Sequence, residues 1–239
     1  MTSDPLRSHL ERLSTRHALA KSHFRYLRWL KRKVGFEPRV VYDIGASVIH
    51  WTRGARELWP DAEFILFDAF EPARFLYEGH RHWIGVLSNR DDREVQFYQN
   101  DYRPGGNSYY REVGYKNGIH FPIGTHQIRV ARTLDAVVRE HGFPPPDLVK
   151  IDVQGAERDV IEGGSTTLAS ARRLIVEMQH EAYNDGAPMV HETLPWIEAR
   201  GWYCDALLFS NNGPDGDYGF ARSDFTVRGK RPRYEADPR

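Results

Sequence analysis

Three apolar runs in this chain each close on an acid. Val40-Val41-Tyr42 leads to Asp43 and then Ile44-Gly45-Ala46-Ser47. Phe64-Ile65-Leu66-Phe67 ends in Asp68, and Leu148-Val149-Lys150-Ile151 ends in Asp152 before Val153-Gln154-Gly155-Ala156-Glu157. Runs this apolar read as strands buried on both faces, and such strands belong to parallel sheets joined by helical crossovers. Ligands of an open α/β sheet sit beyond the carboxyl ends of its strands, so the three acids are expected to gather around one crevice.

The rest of the pattern agrees with that architecture. Strands are expected near 39–44, 63–68 and 83–88, and helices near 52–59 and 71–79. The polar turn Asn89-Arg90-Asp91-Asp92-Arg93 between Ile84–Leu87 and Val95–Tyr98 suggests a hairpin. Ile128–Ala131 reads as a strand, and Thr133 as the cap of a helix through about His141. Pro144-Pro145-Pro146 enforces an extended link into the strand 147–152. A helix near 156–169, a strand over 174–178 and a helix near 189–200 ending at Gly201 follow. Strands near 203–209 and 224–228 are separated by a turn at Asn211–Gly216, and the last strand must run antiparallel to its neighbour. These elements add up to a doubly wound α/β sheet of about seven strands.

Two stretches lie outside the alternation. Leu6, Leu10, Leu13, His17, Ala20, Phe24, Leu27 and Leu30 recur at steps of three or four, so residues 1–36 are expected to form an amphipathic helical extension. Its stripe would cover the sheet or form a homodimer contact. Residues 101–127 hold Gly105, Gly106, Gly114, Gly118 and Gly124 among tyrosines, which suggests a lid or substrate loop inside a main domain of 37–229. Residues 230–239 form a polar tail.

Charge narrows the partners. Lys+Arg and Asp+Glu both number 33, so no global field recruits nucleic acid, although residues 1–39 carry ten Lys/Arg against three acids. The single cysteine, Cys204, excludes an intrachain disulfide and a cysteine-rich zinc site. No apolar run reaches the ~20 residues of a membrane helix, and a cytoplasmic location is expected.

The first strand-to-helix turn selects among cofactors. A dinucleotide site needs G-x-G-x-x-G to close on a pyrophosphate, whereas Gly45-Ala46-Ser47-Val48-Ile49-His50 supplies only the first glycine. Asp43 would also sit near a diphosphate. S-adenosylmethionine, which carries an ammonium and a sulfonium and no phosphate, suits carboxylates better. Asp43 would lie beside its amino-acid moiety, Gly45, Ala46 and Ser47 would let the backbone approach, and Asp68 with Ala69 would hold the ribose. Glu71 competes with Asp68 for that role.

The run Leu148–Glu157, followed by Val160-Ile161-Glu162-Gly163-Gly164, resembles the hallmark of FkbM-type methyltransferases, usually K-I-D-V-E-G-A-E and then an apolar pair before glycine. Val41–Ala46 and Phe67-Asp68-Ala69 match that family's first and second strand ends, and Gly105-Gly106-Asn107-Ser108 is similar to a loop in part of it. Two departures stand out: Gln154 replaces the usual Glu, and Ile49 lies where a second glycine is common. The resemblance implies a Rossmann-like fold and S-adenosylmethionine-dependent O-methylation, often of sugar or other small-metabolite hydroxyls.

Methyl transfer to a hydroxyl is helped by a positioned base. Asp152, Glu177 and His180 lie at strand ends where they could serve, and Asp152 could instead hold cofactor. Asn107, Ser108 and Tyr109 are candidate acceptor contacts. A divalent cation shared by Asp152, Glu177 and His180 would have few oxygen ligands, so no metal site is assigned. The alternatives are a non-catalytic cofactor-binding module and methylation of an RNA ribose, for which Lys150, Asp152 and Glu177 are suggestive.

Overall fold

A computed structural model describes residues 4–16, 18–113 and 120–235. His17, Gly114 and Gly118 lie outside those residues. Strands β1 (Val40–Ile44), β2 (Glu63–Asp68), β3 (Arg81–Ile84), β7 (Leu148–Ile151), β8 (Arg173–Gln179), β9 (Trp202–Asn211) and β10 (Asp215–Arg222) form one sheet in the order β3-β2-β1-β7-β8-β10-β9. Neighbours run parallel except β10, which is antiparallel to both β8 and β9. The chain winds outward in both directions from β1, which makes this a Rossmann-like doubly wound sheet with its switch point between β1 and β7.

Alternation along the strands divides the core into two layers. Val41, Phe64, Leu66, Leu148 and Ile175 face helices α1 (Pro5–Arg16), α2 (Lys21–Trp29, widening into a π turn at Leu30–Val34) and α3 (His50–Leu58). Tyr42, Ile44, Val149, Ile151 and Val176 face α4 (Leu134–His141), α5 (Glu157–Gly163), α6 (Ser165–Leu168) and α7 (Val190–Glu198). The N-terminal stripe is buried within the chain: Leu10, Leu27 and Leu30 are fully covered. Among the described residues no helix is long and apolar enough to cross a membrane.

Four local expectations need correction. The segments around Val86 and Val95 do not pair with each other. Strands β4 (Val86–Leu87) and β5 (Arg93–Phe97) instead flank β6 (Gln127–Arg132), parallel and antiparallel respectively, in a separate three-stranded sheet. Residues 71–79 form a 3₁₀ helix over Glu71–Tyr77. The helix expected over 156–169 breaks into α5 and α6 at Gly164, whose backbone (φ −112°, ψ 16°) leaves the helical region; Gly163 before it packs so closely that a Cβ there would stand 2.2 Å from the Ser88 carbonyl oxygen. The last strand occupies 215–222 rather than 224–228. Gly216 and Gly219 disguise it as a loop, yet a Cβ at Gly219 would lie 2.2 Å from the Tyr26 hydroxyl of α2, a close approach that a strand glycine permits.

Candidate active site

The carboxyl ends of β1, β2 and β7 open onto a cleft of about 770 Å³, the solvent at its mouth included. Its position depends on Gly45, whose φ of 80° is left-handed and whose Cβ, were there one, would lie 1.7 Å from the Asp152 carbonyl oxygen. Only glycine lets the first turn lie flat against the end of β7. The turn then passes through Ser47 (φ 45°) and Ile49 (φ 57°) before α3 begins. A β-branched residue in that region is strained, by about 1–3 kcal/mol, and such strain concentrates at functional sites.

Asp68 braces this turn from β2. Its Oδ2 accepts from the Ser47 backbone N–H at 2.7 Å and its Oδ1 from that of Phe70 at 2.7 Å. Burial lifts the Asp68 carboxyl above its ordinary range, and these two donors only partly offset that. Glu71 points elsewhere, paired with Arg74 at 2.6 Å. Asp68, Ala69, Gly45 and Ser47 line the cleft; Ala46 is buried beside it.

The structure corrects the expected position of Asp43. Asp43 and Lys150 are register partners on adjacent strands, so their side chains share a face. Asp43 is fully buried, accepts from the Thr52 hydroxyl at 2.6 Å and lies 3.5 Å from the Lys150 ammonium. It does not line the cleft and acts from behind it. Burial opposes charge on Lys150, but Asp152 at 3.0 Å and Asp43 outweigh that and hold its pKa above the ordinary value.

Asp152 reaches the cleft wall with its side chain 29% exposed. Burial acts to raise its carboxyl, but Lys150 and hydrogen bonds from Glu177, Lys150 and Gln154 bring it down to about 2. Glu177, nearly buried, is shifted well upward by burial and then by Asp152, Asp215 and Asp217. Within the pair the proton is thus held more tightly by Glu177 than by Asp152. Gln154 connects them, its Nε2 lying 3.0 Å from Asp152 Oδ1 and 2.6 Å from Glu177 Oε2. His180 is not brought to the cleft: it sits past the end of β8 with its ring nitrogen 2.8 Å from the Tyr218 hydroxyl.

The glycine-rich segment forms the opposite wall. Asn107, Ser108 and Tyr109 all line the cleft. Asn107 Oδ1 accepts from the Asn100 N–H at 2.7 Å, while its Nδ2 is buried with no hydrogen-bond partner among the described residues. The Ser108 hydroxyl donates to the Val153 carbonyl at 3.2 Å, and the Tyr109 hydroxyl turns away to Asp159 at 2.8 Å. Val86, Leu87 and Phe97 complete an apolar slot. Sequence reasoning missed these three because it paired β4 with β5 and did not set β6, the strand it expected at Ile128–Ala131, between them. Among the described residues no Lys or Arg lines the cleft, whose charged members are Asp68 and Asp152, with His50 beside them. Among the described residues no group of three or more His, Cys, Asp or Glu is arranged to hold a metal ion.

Comparison with known proteins places this geometry in context. The family described as "Methyltransferase FkbM domain" matches residues 20–202. The 2-O-methyltransferase NoeI of Sinorhizobium fredii is 39% identical over 85 residues, which cover 32% of this chain and 35% of that protein. The chain thus aligns with about a third of that relative's length. Among solved structures, the O-methyltransferase from Bacillus cereus in complex with SAH has a TM-score of 0.47 at 14% identity, covering 93% of this chain and 92% of that one. Magnesium protoporphyrin IX methyltransferase from Synechocystis PCC 6803 gives 0.47 at 11% identity, covering 93% and 86%.

Proposed function

Because the chain belongs to the FkbM methyltransferase family, we propose that it transfers the methyl group of S-adenosylmethionine to a hydroxyl of a sugar, glycan or similar small metabolite. The observation that carries this reading is the charge of the cleft, where carboxylates stand at the strand ends and, among the described residues, no Lys or Arg lines the wall. A phosphate-bearing cofactor would meet repulsion there, whereas a cationic donor meets attraction. The residues fit the group in other respects. Gly45 lets the first turn lie against the end of β7 at the edge of the cleft, the apolar slot of Val86, Leu87 and Phe97 suits a flat heterocycle, and the buried Asn107 Nδ2 supplies a donor still to be satisfied.

Bound S-adenosylmethionine would supply an electrophilic methyl on a sulfonium. Asp68 would hold the ribose hydroxyls, with its carboxylate fixed by Ser47 and Phe70. Asp152 would accept a hydrogen bond from the acceptor hydroxyl and stabilise the positive charge that develops on that oxygen. At a pKa of about 2 it is too weak a base to ionise the hydroxyl beforehand, so it would orient that oxygen and take its proton late, as the new C–O bond forms and the donor's C–S bond breaks. Asp43 and Lys150 would set that field from behind. The choice of oxygen as acceptor atom draws support from the similarity to a 2-O-methyltransferase.

Incubation with methyl-labelled S-adenosylmethionine and a panel of monosaccharides, oligosaccharides and amines tests the reading. Label should enter a hydroxyl-bearing carbohydrate, with Asp152→Asn slowing transfer by roughly 10²-fold. Transfer to amines alone, or an Asp152→Asn variant as fast as the parent, would contradict it.

A further inference from the structure

Gln154 occupies the left-handed region at φ 55°, which a residue with a Cβ adopts only when its surroundings impose it. From that backbone a single amide nitrogen reaches two acids on adjacent strands, Asp152 at 3.0 Å and Glu177 at 2.6 Å. Both hydrogens of one NH₂ group are committed to carboxyls, and turning the amide over would face its oxygen toward both acids instead. Gln154 itself lines the cleft beside Asp152.

We infer that Gln154 is a positioning residue whose amide clamps Asp152 and Glu177 into one pair and holds Asp152 toward the acceptor hydroxyl. The inference rests on the hydroxyl-methylating reading of the cleft and deepens it.

The surrounding charges decide which acid keeps the proton. Lys150 touches Asp152 from β7, with Asp43 of β1 behind it. Asp215 and Asp217 of β10 act on Glu177, and Glu157 of α5 faces Asp152. Two acids coupled this closely titrate as a pair. The amide keeps them together when one is ionised; without it, Asp152 is released from Glu177 and its orientation is lost.

Infrared titration of the ligand-free protein tests the clamp without any acceptor. The wild type should keep, beside the carboxyl signal of Glu157 that Glu157→Gln removes, a protonated carboxyl band at pH 7 that Glu177→Gln removes. In Gln154→Glu, and in Gln154→Gly where glycine tolerates the left-handed backbone, that band should titrate at least about one pH unit away from its wild-type position. For a carbohydrate accepting methyl in the panel above, kcat should fall roughly tenfold or more, with KM and the affinity for S-adenosylhomocysteine within about threefold, and Gln154→Gly should melt no lower than wild type. An unmoved band and pH–rate profile in both variants would overturn the clamp. So would joint loss of melting temperature and S-adenosylhomocysteine affinity, which would mark Gln154 as merely structural. A wild type that binds no S-adenosylhomocysteine would instead overturn the methyltransfer reading beneath it.

Discussion

Gly45 shows how one missing methyl group creates the site. Its φ of 80° is closed to other residues at low cost, and an added Cβ would meet backbone 1.7 Å away. Gly45→Ala should therefore lower the unfolding free energy by about 3 kcal/mol or more, because neither strain nor clash can relax into a flexible side chain. Thermal melting checks this, and a melting temperature within a degree of wild type would refute the packing argument. Gly45, Asp68 and Asp152 were legible in the sequence because each ends an apolar run where a parallel sheet must open. Asp43 ends such a run too, but strand register sets it beside Lys150, and register is not visible in one strand alone. Gln154 was visible only as a departure, since its contact with Glu177 spans two strands.

Among the elements, α2 couples the N-terminal extension to the far edge of the sheet. The Tyr26 hydroxyl donates to Asp205 at 2.9 Å, and Asp205 also pairs with the fully buried Arg173. His23 lies 2.8 Å from Asp217 of β10. Tyr26→Phe should cost about 1–3 kcal/mol by leaving a buried carboxylate short of a donor, read as a lower urea midpoint with unchanged S-adenosylhomocysteine affinity. An unchanged midpoint would show that α2 adds nothing to the sheet. The helical period of α2 was plain in the sequence, whereas its partner strand β10 was misplaced. Gly219, which admits Tyr26, is one of the two glycines that make β10 look like a loop. The three-stranded sheet was hidden for another reason: β6 inserts between two segments that a short polar turn seemed to join.

For the whole molecule, buried acids set the pH dependence of stability. Burial raises Glu157 from its ordinary value to about 7, although its Oε1 accepts from the Val153 and Gly155 N–H groups at 2.9 and 3.1 Å. Because the folded state binds its proton more tightly, Glu157 contributes fully below about pH 4.5, and that contribution is lost as pH rises toward 7, about 3 kcal/mol at most. Asp215, raised to about 6 by burial and then by Asp152 and Asp217, acts in the same direction. Asp152, held at about 2, opposes them with stability that is lost only as pH falls from about 4 through 2. Melting temperature should therefore decline between pH 5 and pH 8, and Glu157→Gln, which keeps an acceptor oxygen, should flatten that decline. A decline of equal slope in the variant would exclude Glu157 as its source. The central claim remains that a cationic methyl donor sits against the acids at the ends of β2 and β7. Calorimetric titration with S-adenosylhomocysteine tests it most directly: wild type should bind one equivalent per chain and Asp68→Asn at least about tenfold more weakly, the loss expected when a hydrogen bond to a charged group is removed. Equal affinity of the two proteins, or no binding by the wild type, would contradict it.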